Sequence, residues 1–149
     1  MNGYNKSGGS YNKFPPKEKK TFEQLGQEVK TQFFSSIFSE LLNMSKTANL
    51  DNVLHTIEKF VSEEGQNLST SQLRNIYDKV LKAQNINELK LVRPNLAYIA
   101  GRSSNDKEKS LLAFIDLLIK SVSSETQIQE FKIFFEAVVS YHKFYGKNN

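Results

Sequence analysis

Helix starts of one chemical kind recur along this chain, and they constrain its fold more than any other feature. Thr21 with Gln24, Ser69 with Gln72, Asn105 with Glu108 and Thr126 with Gln129 each place a side-chain acceptor three residues before a Gln or Glu. At that spacing the first side chain takes the backbone N–H at N3 and the second reaches back to the N-cap amide, so two orphan donors are satisfied together. Asn49, followed by Asp51, is a plainer cap.

Helical periodicity follows each start. Phe22, Leu25, Val29, Phe33, Ile37 and Leu41, widened by Phe34, Phe38 and Leu42, predict one helix running to about residue 46. Val53, Leu54, Ile57, Phe60 and Val61 predict the next, closed by Gly65 as its C-cap. Leu73, Ile76, Tyr77, Val80 and Leu81 form a third stripe. Leu111, Leu112, Phe114, Ile115, Leu118, Ile119 and Val122 form a later one, and Phe131, Phe134, Phe135, Val138, Tyr141 and Tyr145 the last, closed by Gly146. No stretch alternates apolar and polar residues as a half-buried strand would, so the expected class is all-α, a compact bundle of five to six helices.

Between these stripes, Asn87 to Arg102 (NELKLVRPNLAYIAGR) is the odd segment. Pro94 cannot sit inside a regular helix without a kink. Either a short helix ends near Val92 and another starts with Pro94 at its first position, or one helix bends there. From Leu96 to Ala100 the residues read as apolar on every side, which predicts a short helix surrounded by others at the packing centre.

Residues 1–20 are Gly, Asn, Ser, Lys and Pro with almost nothing to bury, a composition expected to give a disordered basic tail. The remaining 21–149 fit one helical domain, and 149 residues suffice for a real core. The 11 phenylalanines and 6 tyrosines offset an apolar fraction of only 38%, because aromatics bury more area per residue. There is no cysteine, which excludes disulfides, thiolate metal sites and cysteine nucleophiles and fits a reducing cytoplasm. The first twenty residues lack the apolar run of a secretory signal. The longest apolar stretch, Leu111 to Val122, is too short for a membrane span and carries Asp116 and Lys120.

Catalytic machinery is not evident. His55 and His142 lie in different helices with no metal-ligand spacing nearby, so a structural or solvated role is expected for each. No phosphate-gripping or nucleophile-elbow glycine motif occurs, and Gly8-Gly9 lacks the flanking strand and helix. The adjacent Glu63 and Glu64 diverge on a helix and cannot form an acid–base pair. The expectation is a protein without catalytic residues, metal or cofactor.

Charge is uneven. Residues 1–20 hold five lysines against one glutamate, and residues 21–67 hold three lysines against seven acids. Residues 68–105 hold three arginines and three lysines against Asp78 and Glu88, and the rest balances. All three arginines, Arg74, Arg93 and Arg102, fall in that one central segment. Such asymmetry suggests a polyanionic partner.

Three stretches together resemble a known family. LSTSQLRNIYDKV (Leu68 to Val80), LKLVRPNLAYIAGR (Leu89 to Arg102) and FFEAVVSYHKFYGK (Phe134 to Lys147) are similar, in order and approximate spacing, to three helices of the small subunit of the type III-A (Csm) CRISPR effector complex. The first matches its capped helix with a Leu-Arg-Asn step. The second matches its central helix, ending in an aromatic, a small residue and Gly-Arg. The third matches its terminal helix, closing on an aromatic-Lys-Phe-Tyr-Gly sequence. The resemblance implies a small non-catalytic RNA-binding bundle in antiviral defence. It implies that several copies stack along the complex beside the backbone and large subunits, cradle the guide–target duplex and contact the target RNA backbone. Cutting of target RNA and DNA would belong to other subunits.

With that resemblance, RNA contact is the expected role of Arg74 and Arg102, since a guanidinium presents a flat fork of donors that matches a phosphate. The competing reading is local: Arg74 pairing with Asp78 at i+4, Arg102 complementing a helix C-terminus. For Arg93 both readings stay open. Asn75, Lys79 and Lys82 fall opposite the Leu73–Ile76–Val80 stripe and could follow a phosphate chain, or be only a solvated face. Gln72 is expected to cap with Ser69. Tyr98, Tyr141, Phe144 and Tyr145 could stack on bases, but their helical spacing predicts core. Alternatives of other classes are a helical DNA-binding regulator, using the third helix and Leu89–Arg102 as a helix-turn-helix, and a helical protein–protein adaptor. Against the regulator, an apolar second helix would offer no polar face to a major groove.

Overall fold

All nine residues from Leu111 to Ile119 are buried, whichever way they point from their helix. A helix that is buried all round must be covered on every side, and the other elements do so. The computed structural model describes residues 19–147; the tail expected over 1–20 lies outside them except for Lys19 and Lys20. In order the elements are α1 (Phe22–Phe33), a 3₁₀ turn (Phe38–Leu42), α2 (Leu50–Glu64), α3 (Thr70–Lys82), α4 (Ile86–Lys90), α5 (Arg93–Arg102), α6 (Asp106–Ser121) and α7 (Glu125–Tyr145). Among the described residues no strand occurs and six of the α-helices have ten residues or more, so the class is all-α. α1 and α5 cover α6, while α7 carries α2, α3 and the 3₁₀ turn.

The predicted N-cap residues open three helices, and of these three the reciprocal bond from N3 is made at Thr21–Gln24 only. Thr21 Oγ1 accepts from the Gln24 amide at 3.1 Å while Gln24 Oε1 accepts from the Thr21 amide at 2.8 Å. Ser69 Oγ accepts from the Gln72 amide at 3.0 Å, and Asn105 Oδ1 from the Glu108 amide at 2.9 Å. α7 departs from expectation: its N-cap is Ser124, not Thr126. The sequence Ser-Glu-Thr-Gln-Ile-Gln satisfies the same spacing in two frames, and the earlier one adds two residues to the helix. Asn49 stands at the N-cap of α2 without a side-chain bond to it. Gly65 and Gly146 end α2 and α7 as expected.

The first apolar stripe does not make one helix to residue 46. α1 stops at Phe33, and a turn separates it from the 3₁₀ segment. The break lets the Phe34 ring lie flat on Phe114, centroids 4.5 Å apart and planes at 9°, with Phe60 edge-on at 5.3 Å. Ser35 and Ser36, both exposed, follow the break, and serine side chains compete with helical backbone bonds. Earlier in α1, Gly26 is buried where a Cβ would stand 2.7 Å from the Ala113 carbonyl oxygen. The glycine lets the α1 and α6 backbones meet.

Pro94 resolves as a new start: α4 ends at Lys90, and Pro94 is the second residue of α5, where its missing N–H leaves no helical bond unmade. The expected central position of α5 is not observed. Only Leu96 and Ala100 are buried within it, while Ala97 and Tyr98 face outward. α6 holds the centre, because its longer apolar run covers the full circumference of the helix.

Candidate nucleic-acid interface

α3 shows how the fold sorts its side chains. Leu73, Ile76 and Val80 are buried, and the helix packs on α7; each fully buried aliphatic contributes roughly 1.5–3 kcal/mol. Lys132 of α7 donates to the carbonyls of Leu81 and Ala83, at 3.1 and 2.8 Å, and so closes the helix end. With that face fixed, Arg74, Asn75, Lys79 and Lys82 all lie on the exposed one. Asp78 is the acid among them, and Arg74 makes no ion pair with it; the ion pairs among the described residues are Lys20–Glu28, Arg93–Asp116 and Lys120–Glu23. Burial pushes the Tyr77 hydroxyl above its ordinary pKa, Glu136 adds to the rise and Arg74 opposes it. Arg74 therefore works in a field that also contains an α7 carboxylate. Lys79 and Lys82 occupy the last turn of α3, where cations complement the helix dipole.

Arg102 ends α5 and is exposed, with its guanidinium carbon 5.8 Å from the centre of the Tyr98 ring, a cation–π distance. A hollow of about 340 Å³, lined by Gln72, Ile99, Arg102, Ser103, Asn105 and Glu108 among others, joins the end of α5 to the first turns of α3 and α6. The loop bonds that shape it are local: Ser103 Oγ donates to Glu108 at 2.9 Å and accepts from the Asn105 amide at 3.0 Å. Gln72 is engaged as the partner of Ser69.

Arg93 differs from the other two arginines. Its Nε stands 2.8 Å from Asp116 Oδ1 and its second nitrogen 3.4 Å from Oδ2. The Asp116 side chain is only 10% exposed and that of Arg93 34%, so this guanidinium neutralises a carboxylate in the buried middle of α6. Nearby, Lys90 donates to the Lys120 carbonyl at 3.0 Å. These contacts hold the start of α5 on α6. The structure thus brings together Arg74, Asn75, Lys79 and Lys82, sets Arg102 on a neighbouring element, and ties Arg93 into the fold.

Two aromatic residues expected in the core are outside it: Tyr98 is 64% exposed and Phe144 80%. Tyr141 is half-buried against the core, and the Tyr145 hydroxyl donates to Glu58 at 2.6 Å. The signal for Tyr98 lay in its neighbours, since Ala97 and Gly101 give that side of α5 little to bury. His142 is buried with Nε2 2.8 Å from the Leu68 carbonyl oxygen, and His55 is exposed. Among the described residues no group of three His, Cys, Asp or Glu is placed to hold a metal, and no helix is long and apolar enough to cross a membrane.

A family model described as Csm2 Type III-A matches residues 44–148. The chain belongs to the Csm2 family. No curated protein and no solved structure matches it. As a Csm2-family member it is a small subunit of the type III-A CRISPR complex, alongside the other Csm subunits. The Csm2 match takes in α2 as well as α3 to α7, and leaves α1 and the 3₁₀ turn outside.

Proposed function

We propose that this Csm2-family subunit is a non-catalytic RNA-binding element of the type III-A complex, contributing to antiviral defence in the cytoplasm. Residues 21–149 act as one helical domain, and the lysines of residues 1–20 add non-specific attraction. Several copies stack beside the guide–target duplex, against the backbone and large subunits, and contact the target RNA backbone. Arg74, Asn75, Lys79 and Lys82 on α3, with Arg102 on α5, supply the donors; Arg93 orders the scaffold beneath them. The observation that carries this reading is the outward α3 face, where two lysines and an arginine without an ion-pair partner among the described residues share one side of a rigid helix. Phosphate contact through such a face positions the strand and carries no sequence information.

Fluorescence anisotropy with unrelated single-stranded RNAs, a guide–target duplex and duplex DNA tests it. The expected result is RNA binding that tolerates sequence and weakens steeply with salt. Sequence-selective binding to duplex DNA would overturn it in favour of a DNA-binding regulator. No nucleic-acid binding by either the subunit or the surface it presents in the assembled complex would favour an adaptor.

A further inference from the structure

Among the described residues, the outward side of α5 has no partner. Leu91, just before the helix, is 73% exposed and Tyr98 64%, with Ala97, Gly101 and Arg102 exposed beside them. Gly101 is the informative residue. Its φ lies outside the left-handed region, and a Cβ added to it would meet nothing within 4 Å. Neither backbone geometry nor packing requires a glycine there, and a helical glycine is destabilising. What it does is leave space. Next to it runs a groove of about 390 Å³ between the start of α1 and α5, with a floor of Phe22, Leu25, Ala97, Ala100 and Gly101. Lys19, Lys20 and Lys109 line it as well, and no acid among the described residues does. Lys20 is held by Glu28 at 2.8 Å, whereas Lys19 and Lys109 have no ion-pair partner among the described residues.

We propose that this face takes an unpaired RNA base, stacked on the Tyr98–Arg102 pair, while Lys19 and Lys109 hold the flanking phosphates. The inference rests on the RNA-binding reading and adds a base contact to it. Charge selects the occupant. Lysines line the groove, and the exposed Arg102 follows Gly101 on the same helix, so a polyanion with flat apolar faces fits better than an apolar protein segment. Every base has such a face, so stacking on an aromatic ring or a guanidinium plane adds affinity without sequence preference. The small residues Ala97 and Gly101 leave a base room to approach the ring.

The chain contains no tryptophan, so Tyr98→Trp gives a single reporter at the site. The full-length protein is titrated with oligouridylate and with an abasic ribose-phosphate oligomer of equal length. Quenching of the introduced tryptophan by oligouridylate and not by the abasic oligomer is the expected result. Tyr98→Ala should weaken oligouridylate binding about fivefold or more, the lower end of what one stacked base contributes, and leave abasic binding unchanged. Gly101→Leu, which fills the groove, should weaken it likewise with the melting temperature retained. Equal binding of the two oligomers, with no effect of Tyr98→Ala, overturns the base platform and leaves the backbone reading standing. Failure of both oligomers to bind overturns both. Quenching on assembly with the other Csm subunits before RNA is added would make this face a subunit contact and overturn the platform.

Discussion

Gly26 and Gly101 both lie inside helices that cover α6, yet they do opposite things. At Gly26 a Cβ would come within 2.7 Å of a backbone carbonyl oxygen of α6; at Gly101 it would meet nothing. The α1–α6 seam is thus closed to the limit of backbone approach, while the described residues leave the outer face of α5 open. One region supplies rigidity and the other supplies surface. Residue type alone does not distinguish them, since both glycines read as the same local weakness in a helix.

The sharpest way to break the closed side is Phe114→Ala. Phe114 is fully buried and contacts Phe34, Phe38, Phe60 and Phe134, so its removal should cost about 3–5 kcal/mol, read as a large drop in the urea midpoint. Gly26→Ala comes next. Its new methyl meets backbone and cannot be relieved by a rotamer change, and overpacking of this kind costs about 1–3 kcal/mol. A stability equal to wild type would show that the seam has slack. Gly101→Ala should do the reverse, stabilising by roughly 0.5–1 kcal/mol in the same denaturation assay. A lower stability there would mean the open face is covered in solution.

The same contrast explains what could be read from the residues. Capping pairs such as Thr21–Gln24 and Ser69–Gln72 depend on three-residue spacing and local bonds, so helix starts were legible, and so was the polar face of α3 that carries Arg74, Asn75, Lys79 and Lys82. The break after Phe33 was not, because it answers to a ring stacked from another helix, Phe114, eighty residues later. The Arg93–Asp116 pair spans helices in the same way, which left Arg93 looking like the other two arginines in charge. The central position expected of α5 fails for a different reason. Leu-Ala-Tyr-Ile-Ala looks apolar all round, but small residues bury little, and only Leu96 and Ala100 are buried, with Ile99 half-buried against the core.

In the proposed division of labour, outward arginines meet RNA phosphates while the inward one holds the fold. The most direct measurement is the salt dependence of single-stranded RNA affinity for wild type, Arg74→Ala, Arg102→Ala and Arg93→Ala, with melting temperatures taken in parallel. Removing the cation that neutralises one phosphate of a single strand should flatten the slope of log affinity against log salt by about 0.7. That flattening is expected for Arg74→Ala and Arg102→Ala at unchanged melting temperature, and for Arg93→Ala a lower melting temperature with the slope retained. Wild-type slopes in both outward variants, or a flattened slope in Arg93→Ala with its fold intact, would contradict it.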